Sequence, residues 1–150
     1  MEKRIKKMPY NGFGFQLTLT NVPVKNIRGN LEPVVNYKDL GREVILVLVL
    51  KKNPLTGHQL KFMRGYFEMT LREFASVFGL SHQAVMKWEE RGDKFAHISP
   101  ATEKMVRLDA LFRLGVKPQI LYKAFSELKD LASDLQSSQS IKEQPLNIAM

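Results

Sequence analysis

The stretch from Thr70 to Gly92, TLREFASVFGLSHQAVMKWEERG, constrains the chain most, because its capping residues mark out two short helices and a tight turn between them. Thr70 can cap a helix with its hydroxyl, and Glu73, three residues on, can reach back to the cap's own amide. Leu71, Phe74, Ala75 and Phe78 then fall on one helical face. Ala75 is small where a second helix must cross closely, and Gly79 offers the left-handed backbone that ends a helix. Leu80 continues the core past the turn, and Ser81 is a preferred N-cap for a second helix, HQAVMKWEER, stopped at Gly92. With Val85 and Trp88 inward, the outer side carries His82, Gln83, Ala84, Met86 and Lys87. Gln83 and Lys87 are four apart and share one stripe.

That stripe has the chemistry of a major-groove reader. Gln pairs in bidentate fashion with adenine, and Lys donates to guanine or to phosphate. The bland alternative is a helical hairpin whose outer face is merely solvated. Taken together, Ala75, Gly79, Leu80, Ser81, Gln83, Val85, Lys87, Trp88 and Glu89 form the pattern A-x-x-x-G-L-S-x-Q-x-V-x-K-W-E, which resembles the phage-repressor-like (Xre/Cro) family of DNA-binding domains. With P-L-T-G at Pro54 to Gly57, the likeness narrows to the C-terminal domain of MqsA-type antitoxins and related regulators, over residues 54–115. The family usually has Gln where this chain has Leu71, so the resemblance leaves one expected phosphate or helix-bridging contact to Thr70 or Arg72.

Composition limits the other possibilities. At 150 residues, 44% hydrophobic, the chain has room for one ordinary domain or two small ones. A formal charge of +8 favours a polyanionic partner. Cys is absent, and His58, His82 and His97 lack metal-ligand spacing, so no metal site or cofactor is expected. No nucleophile elbow, phosphate-cradling Gly-rich loop or Ser/His/Asp arrangement points to an enzyme. The basic N-terminus is followed by no apolar leader and no window is long enough to span a membrane, so a cytoplasmic protein without membrane contact is expected.

The charge is uneven. Residues 1–54 hold ten Lys/Arg against four Asp/Glu, residues 55–115 nine against seven, and residues 116–150 four against four. Lys3, Arg4, Lys6 and Lys7 read as a mobile basic arm able to follow phosphates, or as a solvated tail. From Phe13 to Asn36, Val, Thr and Leu runs suggest two or three short strands with turns near Asn21 and Gly29, and a core of Phe13, Phe15, Leu17, Val22, Val24, Ile27, Val34 and Val35. The resemblance extends here to the small N-terminal domain of MqsA-type proteins, which usually holds zinc through two C-x-x-C pairs. None of those cysteines is present.

Tyr37 to Lys52 carries both a strand-like β-branched run and a helical face of Leu40, Val44, Val47 and Leu48; a buried helix capped by Asp39 is the preferred reading. Thr56 and Gln59 form a second capping box, opening a helix to Phe67 with Leu60, Met63 and Phe67 inward. Arg64 lies one position from that face, and the resemblance implies a scaffold ion pair between it and Glu89, with two independent surface charges as the alternative. Ser99 and Pro100 start a helix to Leu114 with Ala101, Met105, Leu108 and Phe112 on one face. Pro118 starts another with Leu121, Ala124, Phe125, Leu128, Leu131, Ala132 and Leu135 in a stripe that suits a dimer seam.

The expectation is therefore an α+β protein. Residues 1–53 form a small β-rich domain with a basic arm, 54–115 an all-α repressor-like helix-turn-helix domain, 116–135 an extra C-terminal helix and 136–150 a loose tail. The function expected is a sequence-specific regulator of double-stranded DNA, a homodimeric repressor on a palindromic operator. Gln83 and Lys87, with His82 and Ala84, read bases; Thr70, Arg72, Ser81, Lys94 and Lys104 hold phosphates. The alternative is an antitoxin whose N-terminal domain grips a protein toxin, although like charges would oppose a basic toxin there.

Overall fold

Lys3–Tyr10 (β1) and Leu17–Ile27 (β2) pair antiparallel from Lys3 opposite Val24 to Tyr10 opposite Leu17. In the computed structural model, which describes residues 3–128 and 145–150, β2 is the strand to which every other strand of a four-stranded sheet pairs. Asn30–Pro33 (β3) runs antiparallel to its second half, and Leu146–Ala149 (β4) parallel to its first, Leu17–Thr20. Since β1 spans one edge of β2, β3 and β4 share the other. With its helices, the chain is α+β.

Local chemistry explains the hairpin between β2 and β3. Arg28 and Gly29 have φ of 52° and 87°, the paired positive values of a two-residue type I′ turn, and Asn26 Oδ1 accepts the Gly29 N–H at 2.8 Å. Asn21, expected to turn the chain, instead lies inside β2 with φ 53°. There the ladder skips one pair, and on both strands the sheltered side chains step by three residues, Ile5 to Met8 and Leu19 to Val22. Asn tolerates left-handed backbone, so it kinks the strand without ending it. The stretch expected as a mobile arm is also ordered: Lys3, Arg4, Lys6 and Lys7 belong to β1, held by its ladder to β2.

Tyr37–Leu50 is a helix (α1). Its buried residues come in pairs, Leu40 with Gly41, Val44 with Ile45 and Leu48 with Val49, a spacing of four that a strand cannot produce. Asn36, not Asp39, caps it: Asn36 Oδ1 accepts the N–H groups of Lys38 and Asp39 at 3.0 and 3.1 Å. Contacts divide the chain into two compact units, Met1–Val47 with Gln144–Met150, and Leu48–Glu143. The division falls inside α1, ahead of the boundary expected at residue 53. In the first unit Phe15, Leu17, Leu19, Val22, Val24, Leu40, Val44, Ile45 and Ile148 are buried, while Ile27 and Val34, expected in the core, are exposed. Leu146–Ala149, expected to be loose, is a strand because Leu146 and Ile148 align with Leu17 and Leu19 on the sheltered face.

The second unit holds Gly57–Tyr66 (α2), Leu71–Val77 (α3), His82–Glu90 (α4), Pro100–Arg113 (α5) and Pro118–Leu128 (α6). Thr56 and Gln59 make both bonds of their capping box, and Ser81 and Ser99 cap α4 and α5. The buried face of α5 is not the expected one. Glu103, Val106, Arg107, Ala110 and Leu111 are inward, whereas Met105 and Phe112 are 57% and 72% exposed.

The reason is polar. Glu103 and Arg107 form a fully buried i,i+4 pair with Nη2 and Oε2 3.0 Å apart. Arg107 also donates to the carbonyls of Val49, Lys51 and Asn53, and Glu103 Oε1 accepts the Leu55 N–H at 2.8 Å. The pair thereby satisfies backbone groups of residues 49, 51, 53 and 55. Burial pushes the Glu103 carboxyl above its usual range, against the pull of Arg107 and the Leu55 amide.

Of the stripe expected on α6, Leu121 is half-buried. The side chains of Ala124, Phe125 and Leu128, and all of Leu131, Ala132 and Leu135, lie outside the described residues. Among the described residues no helix is long and apolar enough to cross a membrane.

Candidate functional site

The placement of α4 begins with the clamp on residues 49–55. The chain leaving it runs against the segment that follows α4: Ala96 N–H donates to Leu55 O at 2.9 Å, Gly57 N–H to Lys94 O at 3.2 Å and His58 N–H to Gly92 O at 2.9 Å. The start of α2 is thereby pinned to the end of α4. Only glycine fits at position 57, since a Cβ there would sit 2.6 Å from Trp88 O and 2.7 Å from Gly92 N.

A second tie comes from the expected ion pair, which is present and bidentate. Arg64 Nε and Nη2 reach Glu89 Oε2 and Oε1 at 2.7 and 2.8 Å, and Nη1 donates to Met69 O at 2.9 Å. The Glu89 carboxylate holds the Arg64 guanidinium above its usual value, mainly by the hydrogen bond. One arginine therefore fixes α4 and the turn before α3 together.

The turn between α3 and α4 is built as Gly79 and Leu80 predict, and of the capping box expected at α3 the Thr70 half is formed. Gly79 has φ 67°, Leu80 N–H donates to Ala75 O at 3.0 Å, and Thr70 Oγ1 accepts the Glu73 N–H at 3.1 Å. Phe74, Ala75 and Val85 are buried between the helices. That burial leaves the opposite side of α4 to solvent.

On that side, Ser81, Gln83, Ala84, Lys87, Trp88, Arg91, Ala96 and His97 line a shallow cavity of about 430 Å³. Gln83 and Lys87 are exposed, and His82 and Ala84 half-exposed. Trp88, expected in the core, is only half-buried and forms part of the wall. Arg91 and His97 join the site without having been expected. Arg91 Nε donates to Phe95 O at 3.1 Å, and its Nη2 lies 3.3 Å from His97 Nε2, which must accept because a guanidinium has only donors. Arg91 was legible as the last residue on the Gln83–Lys87 stripe, four beyond Lys87. His97 was not, since it enters through a backbone turn with φ 63°.

Of the expected phosphate holders, Ser81 borders the cavity; Thr70, Arg72, Lys94 and Lys104 lie outside its lining. Thr70, Arg72, Ser81 and Lys94 are exposed and Lys104 is half-buried. The hydroxyls of Thr70 and Ser81 accept capping bonds and keep their O–H for donation. The four cations of the expected arm are exposed along β1. A scan against protein-family models and searches of curated proteins and of solved structures found no match to this chain.

Proposed function

We propose that this protein is a sequence-specific, double-stranded DNA-binding regulator, a homodimeric repressor of the cytosol without catalytic activity. The observation that carries the reading is the outer side of α4, where Gln83 and Lys87 stand exposed one turn apart on a helix whose other side is locked by Gly57, Arg64 and Val85. Preorganisation of that kind is what base reading requires, because a side chain discriminates bases only when its helix is held in register. Arg91 extends the stripe toward phosphate, and Arg72 and Lys94 supply further cations. A homodimer places two such helices on half-sites about 10–10.5 bp apart. The exposed Met105 and Phe112 of α5, with Ile120 and Tyr122 of α6, offer apolar surface for the second copy.

The test is selection of sites from a random duplex pool, followed by affinity measurements. The expected product is a palindrome. Gln83→Ala is expected to lower preference for it by about 1–3 kcal/mol while leaving binding to random duplex unchanged. A pool that yields no preferred sequence defeats the reading, and a single half-site defeats the dimer.

A further inference from the structure

We propose that the outer face of the β1–β2 ribbon is a second nucleic-acid surface, one that holds the phosphate backbone of a duplex and reads no bases. It rests on the DNA-binding reading for its partner, but on different residues. Direct cross-strand partners share a face, so the sheltered set is Ile5, Met8 and Tyr10 opposite Val22, Leu19 and Leu17. Arg4, Lys7 and Pro9, opposite Pro23, Thr20 and Thr18, therefore point the other way, and Lys6 stands at the skipped pair beside them. Lys25 continues this face on β2.

Charge identifies the partner. The face combines four cations with threonines, and its one side-chain carboxylate among the described residues is Glu32, which lies opposite Lys25. Arg4 is held in place, its Nε donating to Asn21 Oδ1 at 2.9 Å and its Nη2 to Asn21 O at 2.7 Å, so the kink in β2 fixes a cation on the ribbon. No aromatic ring stands among these outward residues of the two strands. Single strands are gripped by stacking on aromatic rings, which this face does not offer, whereas duplex phosphates need only cations and hydroxyls. Lysines on an edge strand also deter pairing with other chains, but that role does not call for Lys25 on β2.

The experiment measures affinity against salt for the full-length chain on the selected duplex, a random duplex of equal length and a single strand. Lys6→Gln with Lys7→Gln is expected to flatten the slope of log affinity against log salt by about 1.8, from 0.9 per phosphate contact, equally on both duplexes. Thr18→Lys, which adds a cation to the same face, is expected to steepen it by about 0.9. An unchanged slope in both variants overturns the proposal, as does self-association of the double variant with no change in slope. A single strand bound more tightly than duplex through Lys6 and Lys7 overturns the choice of partner. If wild-type protein shows no sequence preference yet both slopes move as stated, the base-reading function of α4 fails while this surface stands.

Discussion

The two units solve the same problem with opposite materials. In the second, α2, α3, α4 and α5 are each capped by a residue within three positions of the amide it satisfies, and α2 is fixed to α4 by a glycine contact and one arginine. In the first, β2 receives β1 from one side in sequence and β4 from more than a hundred residues away. Capped helices are specified by their neighbours in the chain, whereas a sheet is specified by its partners. The first unit's integrity therefore rests on apolar register, and the second's on a small number of polar and steric fits.

The sharpest way to break this contrast is Arg107→Met. Removing one partner of a buried pair leaves an uncompensated charge, so a loss of about 3–5 kcal/mol is expected, read from the unfolding of the second unit through Trp88, the only tryptophan. The sign of its pH dependence is fixed. Without Arg107 the Glu103 carboxyl rises further, so the loss is complete above its raised value and shrinks as acid neutralises it. A pH-independent loss would mean that packing, not charge, is at stake.

Next comes Ile148→Ala, expected to cost about 2–5 kcal/mol, since Ile148 is 3% exposed opposite Leu19. Hydrogen exchange should show the loss in residues 17–27 ahead of residues 57–90. Uniform loss would dissolve the distinction between the units.

The smallest of the three, Gly57→Ala, is expected to cost about 1–3 kcal/mol by overpacking against Trp88 O and Gly92 N. Because it moves the end of α4, it should also weaken discrimination between the selected and a random duplex. Lost stability with unchanged discrimination would separate the scaffold from the reading helix.

The pattern of these effects matches what could be read in advance. Thr56, Thr70, Gly79, Ser81 and Ser99 announced the helix ends because capping is a one-turn interaction. Arg64–Glu89 was implied by the resemblance, and each residue stands one place from an inward helical face. By contrast, Leu146–Ala149 carried no local mark of a strand, since only alignment with Leu17–Thr20 makes it one. The α5 face was misjudged because apolar periodicity favoured Met105 and Phe112, while the inward turn is governed by the carbonyls of residues 49, 51 and 53, to which Arg107 donates. Glu103 and Arg107 stood four apart in plain view, but a charged pair on a helix is far more often solvated. In the candidate site, the stripe of Gln83 and Lys87 was read; Arg91, four residues further on, was missed although its spacing marked it, and His97 carried no mark.

The return of β4 to β2 has a consequence for how the molecule is made. Residues 48–143 are inserted between two parts of one sheet. As a chain leaves the ribosome, the ribbon of β1, β2 and β3 emerges first but lacks Leu146 and Ile148. The later helices find their partners, as Arg107 finds Val49, within residues 48–143 and can close before it does. Order of synthesis and order of completion are thus reversed, because β4, made after the helices, finishes the sheet begun before them.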